Sequence, residues 1–278
     1  MLAPLAALLA LTALSLAAPS PPYPRLPRQG AAASCTRALL RANSEIYLAA
    51  QTAGNPGLLT ALAAPNFTYT EDAVARDIKK GALATALVLA HNRTIIDTTQ
   101  CATYTEIIST GAQTQRVIGT QLRYDATGKW LVKAETLVTK EGDWAFNATQ
   151  TYGYAAREDG LWDEIASAAQ DRRAVIQAAG DAYLDLFNNA SVVVPWGTPC
   201  HRLEGGWYTG NGSATDSCNV GVPSGVPITN RRYVVDEVLG TVDAFVTFGS
   251  RPDSHEFRVE GGKIRFVHTL TVMRNVTG

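Results

Sequence analysis

Apolar residues recur at helical spacing in two separate stretches of the chain. Residues 37–48 read Arg-Ala-Leu-Leu-Arg-Ala-Asn-Ser-Glu-Ile-Tyr-Leu, and 173–184 read Arg-Ala-Val-Ile-Gln-Ala-Ala-Gly-Asp-Ala-Tyr-Leu. Leu39, Ala42 and Ile46 in the first, and Val175, Ala178 and Ala182 in the second, fall at i, i+3 and i+7. That period predicts an amphipathic helix in each, with those side chains on the buried face. The two stretches also match one another, and further matches follow in the same order. Arg93-Thr94-Ile95-Ile96-Asp97 parallels Arg232-Tyr233-Val234-Val235-Asp236, a strand-like pattern. Gly128-Lys129 leads to Glu135-Thr136-Leu137, as Gly262-Lys263 leads to His268-Thr269-Leu270. Both Gly-Lys pairs read as hairpin turns. Helix, Arg/Asp strand and terminal hairpin recur in register, so the chain reads as a duplication.

Each unit starts with a helix and continues as antiparallel strands, which places the chain in the α+β class. The first unit is expected over 35–156, a linker carrying Trp162 over 157–171, and the second unit over 172–278. Ahead of them, Leu2 to Ala18 is apolar and uncharged, with Ser15-Leu16-Ala17 as a small-x-small site. It predicts a signal peptide over 1–17, although no Lys or Arg precedes the apolar run. A Pro-rich leader over 18–34 follows. Six Asn-x-Ser/Thr sequons, at Asn66, Asn92, Asn147, Asn189, Asn211 and Asn275, fit a secreted, glycosylated, extracellular product. No other stretch is long and apolar enough for a membrane span.

Charge removes one class of partner. The 24 Lys+Arg residues balance 25 Asp+Glu, leaving no basic surplus to neutralise a nucleic-acid backbone. The four cysteines, Cys35, Cys101, Cys200 and Cys218, allow three pairings; Cys35–Cys101 and Cys200–Cys218 keep each bond within one half. Their spacing is wrong for zinc, and no metal or cofactor is expected. No G-x-S-x-G elbow, P-loop, Rossmann glycine run or H-E-x-x-H motif occurs.

The order of elements resembles the nuclear-transport-factor-2-like, or SnoaL-like, α+β cone, in which a curved antiparallel sheet wraps an N-terminal helix. At finer grain, 140–149 (Lys-Glu-Gly-Asp-Trp-Ala-Phe-Asn-Ala-Thr), 197–206 (Gly-Thr-Pro-Cys-His-Arg-Leu-Glu-Gly-Gly) and Pro252-Asp253-Ser254-His255 resemble a family of secreted fungal proteins of unknown function. The resemblance implies a fungal source and secretion, but no activity.

A cone offers a pocket lined by the inward residues of its sheet. Strand alternation sets His268 on one face with Ile264, Phe266 and Leu270, so His268 is expected in the cavity of the second cone, its pKa lowered by burial, as acid or base. Arg232 and Asp236, four apart on a strand, share a face; they could position a substrate or form an ion pair at the sheet surface. Tyr183, matched by Tyr47, could steady an oxyanion or fill the core. The stretch from Cys200 to Gly210 concentrates His201, Arg202, Glu204, Trp207 and Tyr208 in a loop whose counterpart in the first unit, around Asn66 to Asp77, lacks both the glycines and the disulfide; it is a candidate substrate gate or a stapled turn over a hydrophobic end.

Two functions remain open. One is a cofactor-free lyase, isomerase or hydrolase acting on a small, partly apolar metabolite in the second cone, with His268, Asp236 and Tyr183 catalytic and Arg232 and the 201–208 residues binding substrate. The other is a secreted binding or structural module for a small ligand or for host or cell-wall glycans. In either case the units are expected to form an intramolecular pseudo-dimer in a monomeric chain, with no nucleic-acid or membrane partner.

Overall fold

A computed structural model describes residues 35–274, which lie in a single compact unit. The signal-peptide and leader expectations over 1–34, and the Asn275 sequon, lie outside the described residues.

The first half runs α1 (Arg37–Ala53), α2 (Pro56–Thr60), β1 (Ala63–Glu71), β2 (Val74–Ala75), β3 (Leu89–Asp97), β4 (Ala102–Ser109), β5 (Arg116–Tyr124) and β6 (Leu131–Thr139). After α3 (Ala148–Ala155), the second half runs α4 (Arg173–Leu186), β7 (Trp196–Glu204), β8 (Trp207–Thr209), β9 (Ile228–Asp236), β10 (Thr241–Phe248), β11 (Arg251–Glu260) and β12 (Lys263–Thr271). The strands form two six-stranded sheets of identical order, β2-β1-β6-β5-β4-β3 and β8-β7-β12-β11-β10-β9. Each sheet is mixed: β1 runs parallel to β6 and β7 parallel to β12, so the all-antiparallel expectation is corrected at one strand pair per unit.

Helix α1 starts where Thr36 Oγ1 accepts the Leu39 amide at 3.2 Å and ends at left-handed Gly54. Its buried face is turned one residue from the expected one. Leu40, Asn43, Ser44, Tyr47, Ala50 and Gln51 point inward, whereas Ala42 is exposed; in α4, Ile176, Ala179, Gly180, Tyr183 and Leu184 point inward, whereas Val175 and Ala178 are exposed. The helix sits inside a sheet that offers polar partners, so it buries Asn43, bonded to the Gly128 carbonyl, and Gln51 along with its apolar residues. At Gly180 a Cβ would stand 3.2 Å from the Phe257 ring, so the missing side chain lets α4 press onto β11.

Both cores lie between helix and sheet, one built around Leu40, Tyr47 and Ile118, the other around Ile176, Tyr183 and Phe257. A third cluster joins the halves through the outer sheet faces, with Ile95, Tyr104 and Leu137 against Val234, Phe245 and Val272. Every residue of β4 is buried, because one face meets its own helix and the other meets the second half.

The halves lock by reciprocal ion pairs. Arg37 of α1 reaches Asp236 at 2.8 and 2.9 Å, and its repeat mate Arg173 of α4 reaches Asp97 at 2.7 Å through two nitrogens. Asp236 also accepts the Ile96 amide at 2.8 Å, and Asp97 accepts the Val235 amide at 3.0 Å. Equivalent residues exchange equivalent bonds, the signature of an isologous interface held within one chain. The cysteines pair Cys35–Cys101 and Cys200–Cys218.

Candidate active site

The interior of the first cone is filled. Tyr47 Oη and Thr120 Oγ1 are 2.8 Å apart, Thr120 and Thr136 hydroxyls 3.0 Å, and Tyr69 Oη donates to Glu71 at 2.8 Å. Ile78, Leu83 and Leu87 close the mouth, on a segment that Gln51 holds through the Ala82 and Thr85 carbonyls. About 10 Å³ of void remains among these side chains. Outside the plug lies a polar depression of about 230 Å³.

The second cone is hollow. Its cavity of about 530 Å³ is within the usual range for a small-molecule site. Strand register shows which substitutions opened it. Arg202 occupies the place of Tyr69, Asp253 that of Ile118, His255 that of Thr120, and Thr271 that of Val138. Tyr183, the mate of Tyr47, therefore has no close hydroxyl partner; only Arg202 Nη1 approaches, at 3.5 Å. Phe187, Phe248, Val222 and Pro223 supply apolar wall, and Trp144, from the segment between the cones, lines it from the other side. The Cys200–Cys218 bond ties the loop carrying Val220, Gly221 and Val222 to β7, and the Val220 carbonyl accepts Arg202 Nη2 at 2.7 Å.

Asp253 and His255 are two apart on β11, so both point inward. Asp253 Oδ2 lies 3.3 Å from His255 Nδ1, and Nδ1 is buried without a hydrogen-bond partner. Burial, only partly opposed by hydrogen bonds from Thr271 and the Ser254 amide, pushes the Asp253 carboxyl up to about 8. Burial, followed by the positive charges of Arg202 and Arg231, pushes the His255 imidazole down to about 3. Near neutrality the carboxyl thus carries its proton and the imidazole is uncharged: a neutral pair, not a salt bridge. Tyr183 is likewise held neutral, burial raising it to about 12 against the opposing charge of Arg202. Glu204 accepts Trp144 Nε1 at 2.8 Å and sits 3.3 Å from Arg202 Nη2.

Of the residues singled out in the sequence, Tyr183, Arg202 and Glu204 line this cavity; the others do not. His201 stacks between Tyr208 and Phe266, Tyr208 donates to Glu158 at 2.8 Å, and Trp207 packs edge-on to Trp144, 60% exposed. Asp236 belongs to the interface pair with Arg37. Arg232 meets Glu135 across the interface at 2.8 Å, so Arg232 and Asp236 neither pair with one another nor address a substrate in the cone.

His268 is the main correction. Arg258 pairs with Phe266 but Val259 with Ile264, which makes Arg265 the extra residue of a bulge. The bulge reverses alternation, so Ile264 faces the cone while Phe266, His268 and Leu270 face the first half. There His268 Nε2 meets Glu158 at 2.8 Å, and Nδ1 meets Glu106 at 3.2 Å and Arg93 at 3.0 Å. Burial alone would lower its pKa; the carboxylates of Glu106 and Glu158 instead raise it to about 9. Glu106, Glu256 and His268 have the donor types of a metal centre and lie within 4.8 Å of one another. Arg93 Nη2, however, stands 2.7 Å from Glu256, 3.2 Å from Glu106 and 3.0 Å from His268, so a guanidinium already takes the cation position. The indole of Trp162 covers that guanidinium at 3.7 Å. Residues 157–171, expected as a linker, thus contribute Glu158 and Trp162 to the centre of the interface.

Asp253 and His255 carry a local signal, an Asp-x-His spacing that sets both on one strand face, weaker in the sequence than the apolar alternation around His268. No curated protein matches the chain. The model of a family described as a domain of unknown function (DUF8021) matches residues 169–271, the stretch from α4 through β12 that builds the hollow cone and its neutral Asp253–His255 pair.

Proposed function

We propose that the second cone is a cofactor-free acid–base site, of lyase, isomerase or hydrolase type, for a small and partly apolar metabolite. The neutral Asp253–His255 pair inside a 530 Å³ cavity carries this reading. With the proton on Asp253, the neutral imidazole that suits the step carries its hydrogen at Nε2 and leaves Nδ1, 3.3 Å from Asp253 Oδ2, free to accept. It can donate that hydrogen to a substrate oxygen while taking the Asp253 proton at Nδ1, leaving an aspartate anion behind and no buried imidazolium. The Tyr183 hydroxyl is a second donor to the same developing charge. Glu204 is the carboxylate available to remove a proton from carbon, and the cycle closes when Glu204 releases that proton to water and Asp253 takes one up again. Loose contacts in an unliganded site tighten around a substrate, which suits the 3.3 Å separation of Asp253 and His255.

The same reading places the fold among the nuclear-transport-factor-2-like, SnoaL-like cones, on the strength of the helix within a curved mixed sheet. It makes the chain a secreted fungal glycoprotein. Two disulfides and exposed asparagines at Asn66, Asn92, Asn147, Asn189 and Asn211 support that assignment.

Purified protein incubated with fungal and plant extracts should consume a metabolite that H255N leaves intact, while H268Q, if folded, retains the conversion. Identical metabolite profiles for wild type and H255N would sink the enzyme and leave the cavity as a binding site.

A further inference from the structure

The charges lining the second cavity do not cancel. Arg202 and Arg251 bring two positive charges and Glu204 one negative, while Asp253 and His255 are neutral; the remaining wall is uncharged. Arg202 is only 6% exposed, and its Nε is buried without a partner. Arg251, at the start of β11, has its Nε likewise buried and unpartnered. Arg202 already meets Glu204 at 3.3 Å and the Val220 carbonyl at 2.7 Å, so among the described residues the charge left without a counter-ion is that of half-buried Arg251, and an anion in the cavity would answer it. The first cone shows that a cation at the Arg202 position is not needed for folding: Tyr69 fills that place and closes onto Glu71, whereas the place of Arg251 is kept as an arginine, Arg116.

Opposite charge alone would suit many ions. The wall restricts the choice, because Phe187, Phe248, Val222, Pro223 and Trp144 present carbon surface that an inorganic anion would leave uncovered. Resting on the small-metabolite reading above, we infer that the occupant of the second cone is an apolar monocarboxylate, its carboxylate held by Arg202 and Arg251 and its carbon body by the aromatic wall. One negative charge brings the lining to neutrality; a second would again leave an excess. A guanidinium fork also matches the two oxygens of a carboxylate better than a single hydroxyl. The carboxylate is a binding handle, separate from the group on which His255 acts.

The test compares 2-naphthoate with 2-naphthamide, nearly identical in shape and differing in charge, by isothermal titration calorimetry at neutral pH. Wild-type protein should bind the naphthoate at least about tenfold more tightly, and R202Q should reduce that preference to about twofold or less. R251Q, at the partly exposed start of a strand, should also narrow it and serves if R202Q fails to fold. Equal affinity of the two probes for the wild-type protein would overturn the monocarboxylate and leave the cavity standing. Binding of neither would overturn both.

Discussion

The two cones share their helix, strand order, hairpin turns and half of a reciprocal interface, yet one interior is packed and the other holds 530 Å³ of space. The contrast comes from a few inward positions. Where the first cone has Tyr69, Ile118, Thr120 and Val138, the second has Arg202, Asp253, His255 and Thr271. In the first, the inward hydroxyls of Tyr47, Tyr69, Thr120 and Thr136 bond to one another or to Glu71. In the second, Tyr183, Arg202 and His255 line the cavity and keep unspent hydrogen-bonding capacity. Duplication lets one copy supply a rigid partner surface while the other takes on groups that a lone core would not tolerate. On the proposed reading, the first cone packs as the partner surface and the second carries the site.

The largest effect should come from breaking the interface where it is least symmetric. Arg93 and Arg232 occupy equivalent positions, but Arg93 is buried between Glu106, Glu256 and His268, whereas Arg232 is partly exposed beside Glu135. R93M strands two buried carboxylates and should cost about 3–5 kcal/mol in denaturant unfolding. R232M should cost about 1 kcal/mol or less. Equal costs would remove the claim that the charge cluster centres on Arg93.

The buried carboxyl gives the next effect, and with an unusual sign. Its folded pKa, about 8, lies above the unfolded value, so the protonated form is favoured in the fold and stability falls as pH rises between about 4 and 8. D253N removes that dependence and should stabilise the protein by about 2–4 kcal/mol at pH 8, with little change at pH 4; on the proposed reading it should also abolish the conversion. A destabilised D253N at pH 8 would contradict a neutral Asp253.

The two buried histidines should titrate in opposite directions. His268, raised to about 9, contributes stability that is complete below about 6.5 and lost as pH climbs through 9. His255, lowered to about 3, contributes stability present above about 6.5 and lost as pH drops through 3. Imidazole nitrogen shifts should show His268 charged and His255 neutral at pH 7; the reverse would exchange the roles of cavity and interface.

Smallest is the contrast of the paired tyrosines. Y47F loses a 2.8 Å bond to Thr120 and should cost about 1 kcal/mol, whereas Y183F, with only a 3.5 Å contact, should barely change stability and should weaken catalysis. Equal losses would mean that both hydroxyls are merely structural.

Much of this architecture is written locally in the chain. Matching helices, the Arg/Asp strands and the Gly-Lys turns are short-range patterns, and the paired Arg37/Arg173 and Asp97/Asp236 already stand in the repeat. That each Asp serves the Arg of the other half is a long-range fact that no local window contains. The helix faces were misplaced by one residue because polarity is a poor guide inside a cone, where Asn43 and Gln51 find partners and are buried. His268 was misplaced because one extra residue at Arg265 reverses every side chain beyond it. Asp253 and His255 lay in plain view two apart, but their meaning depended on an empty space, and a void leaves no mark on periodicity.

The central claim is that the second cone alone receives a ligand. A crystal of the full chain soaked in 2-naphthoate tests it most directly. The account predicts ligand density inside the second cone, its carboxylate at Arg202 and its rings beside Phe187 and His255, with the first cone filled by Tyr47 and Tyr69. Density in the first cone, or at the surface with the second cone empty, would contradict it.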